Sequence, residues 1–312
     1  MQTLDVKSTQ LPEPSCDEQK NIWPSAVGTI LGLNPYQTPL ELWMIQTGRE
    51  AQPNLNEIEA VGWGVRLEPV IAQAYSEREG VKLRRINRTI VHPAHLWWRG
   101  KIDYQVLNQD ERTLLEIKNA SEYMRGKWGA DGSDSVPDYY AVQIRAYMPL
   151  DLGFDRATLA ALIGGNTLRS YYLERDDELE QLITSRLIEW RELLIADRVP
   201  APMTVADLEI LWPNNSEDVI EATDDILSDI SRLVQINGSL KELESAKEEI
   251  ASRIKMFAGE RGAIADPIEH KVLATYRTIK QSRIDTTALK TAEPKIAERF
   301  MVETSFRSLR IK

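Results

Sequence analysis

The sequence predicts an α/β domain followed by a smaller, mainly helical C-terminal region. Three observations predict it. Helix-like and strand-like runs alternate as far as about Pro213, the pattern of helices layered on a sheet. From Ser216 onward the apolar residues instead recur along one stripe of a highly charged helix. Charge separates there too: residues 217–269 carry 13 acids against 6 bases, and residues 270–312 carry 10 bases against 4 acids, a real asymmetry along the chain. The expected division is a flexible arm at 1–20, the α/β domain at 21–213 and the helical and mixed region at 214–312.

Ser25 to Leu33 reads as a short helix, and Asn34-Pro35-Tyr36 as a turn. Thr38-Pro39-Leu40-Glu41 is a helix start: threonine caps, proline suits the first helical position, and glutamate completes the box. That helix runs to Gly48. A second runs from about Glu57 to Glu79 and stops at Gly80, with Pro69 expected to kink it or to mark its local start.

Three β-like runs follow, Val81–Val91, Trp97–Leu107 and Thr113–Asn119, with Asn108-Gln109-Asp110 as the turn between the last two. Trp97 and Trp98, adjacent on a strand, should point to opposite faces. After a polar loop at Gly126–Pro137, Asp138–Met148 reads as a helix. Ala157–Ile163 and Leu168–Leu173 flank Gly164-Gly165-Asn166 as a hairpin. Leu179, Ile183, Leu187, Trp190 and Leu194 then recur at helical spacing until Val199-Pro200-Ala201-Pro202 breaks the pattern. In the last third, Ile236, Leu240, Leu243, Ile250, Ile254 and Phe257 form the apolar stripe of a helix from about Asp225 to Phe257, a helical-hairpin or coiled-coil element.

The chain has 312 residues, 42% apolar and 28% charged, an ordinary globular composition. No run approaches the ~20 apolar residues of a membrane span, and the N-terminus lacks the pattern of a signal peptide. The sole cysteine, Cys16, rules out an intrachain disulfide and a cysteine-built metal site and fits a reducing, cytoplasmic setting. Three scattered histidines, His92, His95 and His270, are too few for a zinc site, and His92-Pro93-Ala94-His95 reads as a structural turn. A net charge of −10 excludes a uniformly basic DNA-binding surface.

The chemistry concentrates in Asp103 and in Glu116-Ile117-Lys118. Phosphodiester hydrolysis needs an activated water and a counter-charge, and a divalent metal supplies both. Magnesium takes hard oxygen ligands, usually one or two of them carboxylates. Asp103 at a strand end and Glu116 on the neighbouring strand can meet across a hairpin. Period-two alternation puts Glu116 and Lys118 on one face, with the Ile117 side chain in the core and its carbonyl free to face the metal. Lys118 is then placed to orient water or to stabilise developing charge. An Asp…Glu-x-Lys match is weak by itself. Here it falls on a strand apolar enough to be central, where inward charges need a reason.

Gln143 and Tyr147 stand four apart on one helix face, as site residues or as a packing edge. Glu68, beside Pro69, is a further ligand candidate or a solvated acid. Ser25 and the amides around it make a phosphate seat, or simply a helix cap.

In this order the motifs resemble the phage lambda exonuclease and YqaJ-type viral recombinase family, within the PD-(D/E)xK nuclease superfamily. The resemblance rests on Trp23-Pro24-Ser25 through Pro35-Tyr36, Thr38-Pro39-Leu40-Glu41-Leu42-Trp43, Trp63-Gly64 through Glu68-Pro69, Asp103, Glu116-Ile117-Lys118, and Tyr140-Ala141-Val142-Gln143 with Tyr147. It covers roughly residues 21–195. It implies a restriction-endonuclease-like core, a mixed central sheet flanked by helices, and a magnesium-dependent exonuclease, with manganese as the expected substitute metal. The enzyme would digest one strand of linear duplex DNA 5′→3′ and leave 3′ overhangs.

Asp103, Glu116 and the Ile117 carbonyl would hold metal, with Glu68, Lys118 and Gln143 completing the site and Ser25 on a terminal phosphate. It further implies a trimeric ring and a single-strand annealing partner of the RecT or Red-beta type, in a bacterial host with a phage or prophage. Two departures stand out. The lambda exonuclease side of the resemblance implies an arginine a few residues before the serine, where this chain has Asp17-Glu18-Gln19-Lys20. Lys20 would stand in for it, or Lys101 and Arg99 would serve. Tyr104 replaces the glycine that usually follows the aspartate. An endonuclease on the same core and a DNA-end-binding scaffold are the alternatives. The basic end from Lys271 to Lys312 is either a DNA- or partner-binding surface or a solvated face.

Overall fold

Helix starts and stops follow the local chemistry of the chain. The computed structural model describes residues 20–54, 57–107, 111–150, 153–302 and 306–311. The arm up to Gln19, Cys16 with it, and the Asn108-Gln109-Asp110 turn lie outside the described residues.

Helix α1 is Pro24–Ile30, with Pro24 at its first position and Trp23 as its cap. Ser25 is therefore an exposed residue of the first turn and not the cap, because proline, lacking an N–H, takes the opening position. In α2, Pro39–Gln46, the capping box is complete: Thr38 Oγ1 accepts from the Glu41 N–H at 3.2 Å, and Glu41 Oε2 from the Thr38 N–H at 2.8 Å. Helix α3, Glu59–Glu79, runs on through Pro69 and stops at Gly80, whose φ of 66° is the left-handed cap glycine provides.

Two of the expected long strands are broken. Val81–Val91 divides into β1, Lys82–Arg85, and β2, Ile90–Val91; Trp97–Leu107 divides into β3, Arg99–Gly100, and β4, Tyr104–Leu107. β2 and β3 pair as a separate ribbon. Its turn is built on His92, whose Nδ1 accepts from the Ala94 and His95 N–H groups at 3.1 and 3.0 Å and whose ring stacks on Trp98. Trp97 and Trp98 consequently do not alternate across a sheet. Their rings lie nearly parallel, 6.4 Å apart, with Trp98 in the core and Trp97 half-buried against it.

The main sheet has the order β1-β4-β5-β6-β7, with β5 Thr113–Ala120, β6 Arg156–Ile163 and β7 Thr167–Glu174. Only β5 and β6 run parallel within it. Helix α4, Asp138–Arg145, intervenes between them, and β6 returns as β7 through Gly164 and Gly165, both at positive φ. Helix α5, Asp177–Ile195, opens with Asp176 accepting from the Leu179 N–H. Helix α6, Val205–Leu211, is capped by Thr204 in a box completed by Asp207, which is buried and accepts from the Met203 and Thr204 N–H groups. The other Asp207 oxygen takes a 2.7 Å hydrogen bond from the Thr38 hydroxyl at the head of α2.

An apolar layer lies on each face of this mixed sheet. One joins Leu114, Ala157 and Leu159 to α1, α2, α4 and α5 through residues such as Val27, Trp43 and Trp190. The other packs Leu115, Ile117 and Ala160 against Ile71, Ala72 and Tyr75 of α3. This is the mixed central sheet flanked by helices expected of a restriction-endonuclease-like core.

The chain divides into two units, Met1–Trp212 and Pro213–Lys312. The second holds a 35-residue helix, α7, Asp224–Ala258, then a hairpin of β8, Ala263–Ala265, and β9, Val272–Thr275, and two short helices, α8, Thr286–Ala292, and α9, Pro294–Arg299. Among the described residues no helix is long and apolar enough to cross a membrane.

Candidate active site

Strand β5 is central, and from Thr113 to Ile117 its side chains are buried on both faces. Alternation sends Leu115 and Ile117 toward α3 and leaves Glu116 and Lys118 on the side of α4. Glu116 is 3% exposed. Its Oε1 accepts from Lys118 Nζ at 2.7 Å and from Gln143 Nε2 of α4 at 2.9 Å. Its Oε2 is buried and has no hydrogen-bond partner. One carboxylate oxygen is thus doubly held while the other is left open, an arrangement that costs desolvation unless something charged meets it.

Lys118 sits between this carboxylate and the Tyr140 ring, with Nζ 5.0 Å from the ring centre. Burial disfavours the ammonium, but the Glu116 charge and hydrogen bond outweigh it and hold Lys118 above the ordinary lysine range. Tyr147 lies two residues past the end of α4, and its hydroxyl hydrogen-bonds with the Gln143 side chain. Its ring is buried in the core, and burial, with the Glu116 charge, pushes its hydroxyl well above the tyrosine range. A ring so placed is not a surface on which a base can stack.

Asp103 stands just before β4, where the strand pairing with β5 has not yet begun. Its Oδ2 accepts from the Ile117 N–H at 2.9 Å, filling the place a paired strand would take. In a strand the N–H and C=O of one residue point to the same side, so the Ile117 carbonyl faces this gap too. Burial, and then the charge of Glu116, push the Asp103 carboxyl up to about 8.

Two neighbouring carboxylates, an unpartnered buried oxygen and an edge carbonyl make a hard-oxygen set. It fits a divalent cation of the magnesium kind, whose remaining positions go to water and substrate phosphate. Among the described residues no group of three or more His, Cys, Asp or Glu side chains could by itself hold a metal.

Glu68 lines the same cavity as Asp103, about 300 Å3 in volume, together with Arg85, Asn87 and the exposed Lys101. Its carboxylate is engaged by Arg85, at 3.0 Å. Glu68 thus reaches the site's wall already paired. Ser25 lines a different cavity, of about 450 Å3, with Asn21, Trp23, Gln37 and Gln46. Arg99 Nε donates to the Leu96 carbonyl at 3.2 Å. Lys20 is half-buried, and Arg191 bonds to its backbone carbonyl. The structure therefore gathers Asp103, Glu116, Lys118 and Gln143, sets Glu68 and Lys101 beside them, and puts Ser25 in a second cavity.

Residues 19–150 match the family model described as the YqaJ-like viral recombinase domain. The uncharacterized protein YqaJ of Bacillus subtilis strain 168 is 31% identical over 306 residues, 95% of this chain and 92% of that protein. The chain belongs to the YqaJ-like viral recombinase family. All the side chains gathered around Glu116 lie inside the matched segment of this YqaJ-like chain.

Among solved structures, the chain is similar to the alkaline exonuclease LHK-Exo from Laribacter hongkongensis, at 17% identity and a TM-score of 0.44 over 58% of this chain and 90% of that one. It is also similar to a phage-related exonuclease from Haemophilus somnus 129PT, at 13% identity and a TM-score of 0.40 over 57% and 96%.

Three participants carried no sequence signal strong enough to single them out. Arg85 meets Glu68 across 17 positions. Tyr140 was part of a motif, but nothing in the motif announced its ring against Lys118. Gly28 brings α1 close to α4, since a Cβ there would stand 2.7 Å from Tyr139 Cβ and 3.1 Å from Tyr139 Cα.

Proposed function

We propose that this chain is a metal-dependent DNA nuclease that degrades linear duplex DNA from its ends. The open Oε2 of Glu116, beside Asp103 and opposite a lysine-held Oε1, carries this reading. When bound, magnesium, or manganese in its place, supplies charge to offset that developing on the phosphodiester and makes water more acidic.

The chain's own residues do the rest. Asp103, Glu116 and the Ile117 carbonyl hold the ion. Gln143 and Lys118 fix the Glu116 carboxylate so that its free oxygen faces inward. The Lys118 ammonium, kept protonated by its carboxylate, stabilises the charge that grows on the phosphoryl oxygens. Lys101, exposed at the cavity rim, draws in the DNA backbone, and Ser25 receives a terminal phosphate. Within the family reading, digestion runs 5′→3′, a trimeric ring encloses the duplex, and the 3′ overhang passes to a single-strand annealing protein of the RecT or Red-beta type.

The deciding experiment is digestion of matched linear and covalently closed circular duplex, with magnesium and with EDTA. Each linear end is labelled, with and without a 5′ phosphate. Magnesium-dependent release from 5′ ends with circles spared is the expected result. Cut circles would make the protein an endonuclease, and DNA binding with no cleavage would make it an end-binding scaffold.

A further inference from the structure

Helix α7 is charged around most of its circumference, yet one seam is apolar. Ile236, Leu240, Leu243, Ile250, Ile254 and Phe257 follow one another at steps of three and four, and Lys247 takes the single place between Leu243 and Ile250. Leu233 extends the series one step upstream. A strict seven-residue repeat keeps its seam facing another helix that coils along it, because a lone straight helix repeats at 3.6. The six residues are 45 to 76% exposed. At the C-terminal end of the seam, Ile264 and Leu273 of the β8–β9 hairpin stand beside Ile250, Ile254 and Phe257 around an apolar groove of about 540 Å3.

We propose that α7 pairs with α7 of a second copy of this chain, as an antiparallel coiled coil with its two-fold axis at Ser245. Charge selects both occupant and direction. In a parallel pair, Lys247 would face the partner's Lys247 in one buried layer, like charge against like. In the antiparallel pair Lys247 packs on the partner's Leu243 and beside the partner's Glu244. Every other layer matches apolar with apolar: Leu240 on the partner's Ile250, Ile236 on the partner's Ile254, and Leu233 on the partner's Phe257. The seam is thus self-complementary, as a two-fold interface requires. A lone lysine in such a core position sets register at some cost in stability. The partner's Leu240 and Ile236 enter the groove beside the hairpin. This contact is two-fold, so it goes beyond a three-fold ring and joins two rings or two single chains alike.

The test uses the full chain with Cys16 replaced by serine, which removes its sole cysteine. Sedimentation should show the mass of Leu240→Glu/Ile250→Glu to be half that of the parent. Ile236→Cys and Ile254→Cys should each form little disulfide alone, but should cross-link when mixed and oxidised. Unchanged mass in the double glutamate variant would overturn the pairing. Efficient cross-linking of Ile236→Cys to itself would overturn the antiparallel direction, and a parent already at single-chain mass would overturn the second copy as occupant.

Discussion

Gln143 Nε2 lies 2.9 Å from Glu116 Oε1, a bond between α4 and the central strand across 27 positions of sequence. Lys118 reaches the same oxygen. Gln143 therefore acts on the carboxylate rather than on the substrate, and its removal should be felt first in metal affinity. For Gln143→Ala the magnesium concentration giving half-maximal cleavage should rise roughly 10- to 100-fold, as for outer partners of metal ligands generally. Saturating metal should restore much of the rate. A titration midpoint equal to that of the parent would refute this role.

Asp103→Ala and Glu116→Ala remove oxygens that no neighbour replaces. Cleavage should vanish while binding to duplex ends, measured by anisotropy in EDTA, is largely kept. Full activity in purified Asp103→Ala would dismantle the site assignment.

Lys118→Ala removes the ammonium that the proposed mechanism sets against the scissile phosphate, and turnover should fall by ~10²–10³-fold. The comparison is made at saturating metal and DNA, so that only the chemical step is read. A rate close to that of the parent would leave the lysine a structural partner of Glu116.

Without metal, Asp103 makes stability depend on pH. Burial and Glu116 raise its carboxyl to about 8, above the ~3.9 of an unfolded chain. The folded state then binds the proton more tightly. Its contribution is complete below about pH 4 and is lost as pH rises through about 8. In EDTA, Tm should fall across that window, and Asp103→Asn should flatten the fall. Parallel curves for the two proteins would count against the raised carboxyl.

Gly28→Ala tests how closely α1 must approach α4. The added methyl would collide with Tyr139, at 3.1 Å from its Cα, where the obstacle is backbone. The helices must part, at about 1–3 kcal/mol, and α4 carries Gln143 with it. A lower Tm and a weaker metal response are expected together. An unchanged Tm would show that the contact gives way freely.

The site was legible where side-chain chemistry and strand period coincide. Glu116 and Lys118 two apart on an apolar strand are enough to place both on one face, and Thr38, Gly80 and Gly164-Gly165 mark turns and caps by their own conformational needs. The broken strands were not legible, since Trp97–Leu107 looks continuous until Asp103 takes the Ile117 N–H that a paired strand would have used. Of the two readings of Ser25, phosphate seat or helix cap, the cap falls to Trp23, because Pro24 fixes where the helix begins. Arg85 on Glu68 and Tyr140 on Lys118 are meetings of distant residues, which periodicity does not encode.

The hydroxyl of Thr38 accepts from the second helix and donates to Asp207 in the first turn of the sixth, 169 positions later. During synthesis the local box of that early helix closes with Glu41 alone, but its tie to the sixth helix waits until Asp207 has cleared the ribosome. Contacts of such long range are made late, after the entropy of closing the intervening chain has been met. A nascent chain stopped near residue 200 would therefore hold every residue gathered around Glu116 and still lack the latch that closes this unit.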